Sequence, residues 1–271
     1  MRGPYSIILM CLSLLMATGC SKQKEGEYTP AGPDMNSLKK QYKMAVLDAK
    51  VVEPWEIYRS LIAVIYYADS MAGQGNLAWS EDSLGRPRLL VVSWMSQSST
   101  QYWPLGKTFR TSNNQAYMSW ITSSPQMLDF LKKNEFTDSS ALHLRIAQVL
   151  GMPPDTKNNF FVEYWVYPEN LFRPTPDPEI TDHEANLYFP EDVSQKHYNW
   201  FIHEMLNKYD TSSSSAFPWT RLGYTYDWAN PLHPVGLSEF VVDTSSLVTV
   251  KSIYSSWQYY QLSLTKKGVR W

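Results

Sequence analysis

The sequence predicts an α+β fold: a single domain with a mixed β-sheet and helices mainly on one face. Three observations point there. Continuous apolar, β-rich runs at 88–95 (RLLVVSWM), 115–122 (QAYMSWIT) and 159–167 (NFFVEYWVY) read as strands. Two helical segments separate the second run from the third, which makes a crossover and predicts that 115–122 and 159–167 run parallel in one sheet. The C-terminal part, GLSEFVVD, LVTVKSIYS and WQYYQLSL, reads as consecutive short strands joined by brief turns.

Taken in chain order, the N-terminus speaks first. Arg2, the apolar run IILMCLSLLM and the small residues of LLMATGC have the layout of a secretory signal peptide over 1–19, too short for a stable membrane span. Because a cysteine follows Ala17-Thr18-Gly19, the segment resembles a bacterial lipobox. That resemblance implies a lipoprotein with palmitate-type acyl chains on Cys20, and Ser21 implies sorting to the cell outer membrane. Each buried methylene of such an anchor contributes about 0.8 kcal/mol. The only other cysteine, Cys11, lies inside the expected signal. The mature chain therefore has no disulfide to lean on and needs a substantial core.

Residues 20–35 are polar and rich in Gly and Pro, a flexible tether; the globular domain is expected over 36–271. NSLKKQYKMAVLDAK reads as a helix capped by Asn36 or Ser37. PWEIYRSLIAVIYYA reads as a second helix or a strand, with Pro54 in its first turn. After the strand at 115–122 come the helix PQMLDFLKK and the helix SSALHLRIAQVLG, capped by Ser139 or Ser140 and ended at Gly151. VSQKHYNWFIHEMLNKY is a further helix, with an apolar stripe of Tyr198, Phe201, Ile202, Met205 and Tyr209. Trp200 lies nearly opposite that stripe, so it either contacts another segment or stays exposed for a partner.

Two long irregular stretches, 168–192 with five prolines and 210–235, exceed the length usual for structureless loops. They are the expected site. The segments ENLFRPTPDPEITD, FPWTRLGYTYDW and VGLSEFVV resemble a family of uncharacterised bacterial proteins over about residues 54–243. No established activity comes with that resemblance. The family pattern implies cysteines near the positions held here by Thr175 and Ala185, so any bridge or metal site they formed is missing.

Several chemistries can be weighed. A net charge of −2, from 24 basic and 26 acidic residues with no basic block after the signal, argues against nucleic acid. Asp177, Glu179, Asp182, His183 and Glu184 in DPEITDHE offer oxygen ligands for a hard cation, but the spacing is not that of an EF-hand and a Pro-stiffened capping turn is the simpler account. HEMLN lacks the second histidine of a zincin helix, and His197 and His203 fall about 120° apart on the helical wheel. No metal and no cofactor are expected. Gly-x-Ser-x-Gly is absent. Glu163, Asp177, Asp227 and Glu239, all near strand ends or in loops, leave paired-carboxylate chemistry open.

FPWTRLGYTYDW, 217–228, concentrates aromatic residues. If extended, it puts Tyr224, Tyr226 and Trp228 on one face and Thr225 and Asp227 on the other. Either the aromatic face is core and Arg221 pairs with Asp227 or another buried carboxylate, or the rings stack on a ligand while Arg221 and Asp227 bind it directionally. The candidate ligand-binding set is Arg173, Trp200, Arg221, Tyr224, Tyr226, Asp227 and Trp228. The favoured function is a lipid-anchored envelope protein binding a glycan, peptidoglycan or a protein partner through the two long loops. The alternative is an envelope hydrolase using loop carboxylates, with His183 or His233 as acid and base.

Overall fold

The computed structural model describes residues 34–67, 77–213 and 215–265. The signal peptide, Cys20 and most of the tether lie outside them. Asp34–Trp271 forms one compact unit. Its elements are α1 (Met35–Ala49), β1 (Trp79–Glu81), β2 (Pro87–Ser96), α2 (Gln97–Thr100), β3 (Thr108–Arg110), β4 (Ser119–Ser123), α3 (Ser124–Lys132), α4 (Ser139–Val149), β5 (Asn158–Val166), β6 (Leu171–Phe172), α5 (Gln195–Lys208), β7 (Tyr224–Tyr226), β8 (Val235–Ser238), β9 (Phe240–Val242), β10 (Leu247–Ser255) and α6 (Ser256–Thr265).

The main sheet runs β3-β10-β5-β2-β4-β9-β6, with β1 added on β2; β7 and β8 form a separate ribbon. The α+β class holds, but every described pairing is antiparallel, so the sheet is not mixed. The reason lies in the crossover. β4 and β5 do run in the same direction, as expected, but both are antiparallel to β2, which lies between them. The parallel strands never become neighbours.

Helices start where side chains can satisfy their orphan N–H groups. Asp34 accepts from Asn36 and Ser37, so α1 begins one residue inside the expected tether and is capped by Asp34 rather than Asn36 or Ser37. Asp138, not Ser139 or Ser140, caps α4 by accepting from Ser140 and Ala141. The segment after Pro54 is neither helix nor strand beyond a 3₁₀ turn at Pro54–Glu56. It is strapped to the 174–186 loop instead: Leu61 N–H donates to His183 O at 2.9 Å and Val64 N–H to Ile180 O at 2.7 Å. WQYYQLSL is helix α6, not a strand. Ser256, Tyr259, Tyr260 and Ser263 are its buried residues, a 3.6-residue period that overrides its β-rich composition.

Strand alternation divides the core. Val91, Met95, Val162, Tyr164 and Phe240 face a layer of irregular segments around Ile62, Val64 and Trp103, with Phe109 of β3 packed alongside. On the other face, Val92, Trp94 and Phe161 pack against α3, α4 and α6, and Trp120, Phe172 and Val241 pack against α1 and α5. Helices therefore lie mainly on one face. α5 is rotated from the expected stripe: its buried residues are His197, Trp200 and Phe201, while Tyr198 is exposed. Trp200 supplies the reason, because its ring meets Trp120, Phe172 and Trp219 at 4.7–6.0 Å between centroids. Burying that ring decides the helix orientation.

Candidate functional site

The sheet is split. β2 and β4 pair only at Val91↔Ser123 and Val92↔Thr122. Beyond that point β2 stays with β5, while β4 stays with β9. The gap is bridged by hydroxyls: Ser93 donates to Trp120 O at 3.1 Å, and Tyr164 donates to Ser119 at 2.8 Å. A cavity of about 960 Å³ occupies the split, at the upper end of the ~300–1,000 Å³ usual for ligand pockets. Because it passes between strands, it draws on both sheet faces. Ser93, Trp103 and Phe109 line it from one side, and Trp94, Met127 and Phe161 from the other.

Part of its lining, around Glu239, Lys208 and Thr225, is polar. Glu239, in the single-residue step between β8 and β9, is 4 % exposed. Its backbone N–H donates to Gly223 O at 2.9 Å, but its carboxyl has no hydrogen-bond or ion-pair partner among the described residues. Burial pushes that carboxyl up to about 8, opposed by the nearby Lys208 ammonium. Lys208 closes α5 and pairs with Glu204 at 3.1 Å. Its Nζ lies 5.5 Å from the Trp120 ring centre and 5.9 Å from that of Phe217. Thr225 completes this part: it donates to Val149 O and accepts from Leu237 N–H at 2.9 Å. Gly236 permits the close approach, since a Cβ there would meet Thr225 Oγ1 at 2.2 Å.

The residues singled out in 217–228 go elsewhere. Tyr224, Tyr226, Asp227 and Trp228 are all buried. Alternation holds, with Tyr226 donating to Asp48 of α1 at 2.7 Å and Thr225 and Asp227 facing α4. Trp228 donates to Met152 O at 2.9 Å, and Tyr224 donates to Glu56 O at 3.0 Å. The expected Arg221–Asp227 pair is not formed. Asp227 takes both guanidinium nitrogens of Arg145, at 2.8 and 2.6 Å. Arg221, in the left-handed region at φ 58°, donates instead to Lys50 O at 2.8 Å. It caps the negative end of α1, where a cation is favoured. These side chains, like buried Trp200, are core or cap rather than a stacking surface.

Arg173 is fully buried and organises the other long loop. It donates to Glu179 O and Asp182 O, both at 2.9 Å, and lies against Gly223, where a Cβ would come 2.7 Å from its Cδ. Desolvation lowers its affinity for its proton, which Asp182 partly restores. The two long loops do converge, with Trp219 donating to Pro174 O at 3.0 Å, but as packed structure. Among the described residues of the second loop, only Phe217 and Thr225 reach the cavity. His183 bonds Leu61 O at 2.8 Å, Glu184 pairs with Arg59, and among the described residues no group of His, Cys, Asp or Glu is placed to hold a metal.

The four carboxylates do not gather. Asp177 accepts from Asn186, Asp227 serves Arg145, and Glu163 is held by Ser124, Tyr259 and Ser252 at the helix face. Glu239 alone faces the cavity. Lys208, Ser93 and Trp120 went unmarked in the sequence. The signal available was an acid inside an apolar run, SEFVV, which is costly unless the fold uses it. Comparison with protein-family models, curated proteins and solved structures returns no significant match. The resemblance read from segments 169–182, 217–228 and 235–242 thus stays a proposal.

Proposed function

We propose that the chain is a lipid-anchored protein of the bacterial envelope, attached through Cys20, that binds a ligand in the cleft between β2 and β4. One observation carries the binding role: a large cavity is lined by a buried carboxyl that has no hydrogen-bond partner among the described residues. Buried polar groups are normally satisfied, so such a group suits an external partner. Anchoring rests on the sequence, and no helix among the described residues is long and apolar enough to cross a membrane.

A second reading is favoured by Glu239 itself, because a carboxyl titrating near 8 suits general acid catalysis. It is the weaker one. Among the described residues no histidine and no second carboxylate lines the cavity, so a hydrolase would have to draw its base or nucleophile from the hydroxyls and Lys208 there.

Both parts can be tested. An apolar fluorophore titrated into the purified full chain is expected to saturate at one site, with energy transfer from Trp94, Trp103 and Trp120. Absence of saturable uptake by folded protein would remove the binding role. Cys20→Ser is expected to move the protein from the membrane to the soluble fraction, and unchanged retention would remove the anchor.

A further inference from the structure

The cleft selects a ligand chemistry. Its walls are aromatic and thioether surface, with Trp94, Phe161, Met127 and Met152 on the helix side, and such walls suit a flexible apolar body. Two charged or titratable groups, Lys208 and Glu239, face it close to one another. Lys208 has three donors, and its contact with Glu204 commits one of them. Glu239 has a carboxyl with nothing bound to it among the described residues. Arg110, the other cation lining the cavity, is committed to Ser245 O at 2.8 Å.

Resting on the binding role proposed above, we infer that the cleft takes an amphiphilic monocarboxylate of the fatty-acid class, its head seated between Glu239 and Lys208 and its chain along the aromatic walls. A carboxylate brings two acceptor oxygens, and the site offers one ammonium and one carboxyl O–H. The two carboxyl groups then share a proton, and the lysine is shared between Glu204 and the ligand. A cationic head would be repelled by Lys208, and a neutral head would gain nothing from its charge. The titratable groups facing Glu239 come from the end of α5, Lys208 and the adjoining Tyr209. β4 presents Trp120 and Thr122 and β7 presents Thr225 to the same cavity, and none of these titrates. As pH rises past about 8, Glu239 ionises and repels the ligand carboxylate.

The test is calorimetric titration of the purified full chain with decanoate, methyl decanoate and decanol. At pH 7 decanoate is expected to bind at least tenfold more tightly than either neutral probe, and to weaken at least tenfold at pH 9. Lys208→Met should abolish the preference for the acid while Lys208→Arg keeps it, and Glu239→Gln should remove the difference between pH 7 and pH 9. Equal binding of all three probes, or a preference that survives Lys208→Met, overturns the inference while leaving the cleft a binding site. Failure of every probe to bind the folded chain overturns the inference and the binding role together.

Discussion

The aromatic stretch 217–228 and the cleft between β2 and β4 are both rich in rings, and they differ in what happens to their polar atoms. In the stretch the ring and carboxylate handles are answered, and Arg221 Nε is the one buried side-chain polar atom there left without a hydrogen bond among the described residues. Trp219 and Trp228 donate to Pro174 O and Met152 O, Tyr224 and Tyr226 to Glu56 O and Asp48, and Asp227 takes Arg145 in a fork. In the cleft, the buried Glu239 carboxyl has no hydrogen-bond partner among the described residues and feels only the nearby Lys208 charge. Aromatic density therefore marks burial in both places, and what separates the site from the core is a carboxyl without a hydrogen bond on the wall of a cavity.

The largest effect that would test this contrast is expected from Trp219→Ala. Its ring is 1 % exposed among Trp120, Trp200 and Phe201, so chemical denaturation should show a loss of about 3–5 kcal/mol. Fluorophore uptake should persist wherever the variant is folded; selective loss of uptake without loss of stability would move the site into the stretch. Asp227→Ala comes next, at about 3 kcal/mol, because it strands Arg145, whose side chain is only 25 % exposed. The double variant with Arg145→Ala should lose less than the sum of the singles; strict additivity would deny the pair.

Glu239 gives a pH-dependent effect. Its folded value of about 8 stands above the unfolded 4.5, so between those values the native state holds a proton that the unfolded chain has released. Stability attributable to it is full below pH 4.5 and falls as pH rises toward 8. Glu239→Gln should remove about 3 kcal/mol of that decline, allowing for water in the cleft. An unchanged pH profile of the melting temperature would show that the carboxyl ionises freely. The smallest effect is Arg221→Ala, about 1 kcal/mol, since its loss removes one cap of α1 and leaves no buried charge behind. A loss as large as that of Asp227→Ala would restore Arg221 to the core.

The α+β class, four of the five longer helices and the three long strands were legible because periodicity and caps are local. The helix α6 was missed because Tyr259 and Tyr260 satisfy a β-rich reading as well as a helical one, and only their packing on β5 and β10 decides. The strap at 57–67 was missed because its backbone partners, His183 and Ile180, lie over a hundred residues away in sequence. The site was half legible. Glu239 could be marked as an acid near a strand end, whereas the cleft exists only because β4 changes partners, and that change leaves no local trace.

The order of the sheet bears on when the chain can fold. β9 and β10, from the last part of the sequence, occupy interior places, β9 between β4 and β6 and β10 between β3 and β5. Until they arrive, β3 and β6 have no neighbour to join, although β2, β4 and β5 can already pair. The last part of the chain thus completes the sheet on both flanks through contacts of long sequence separation, which are slow to form. For a protein proposed to thread through a membrane before working on its far side, the final strands are expected to act as the latch that completes the folded state after passage.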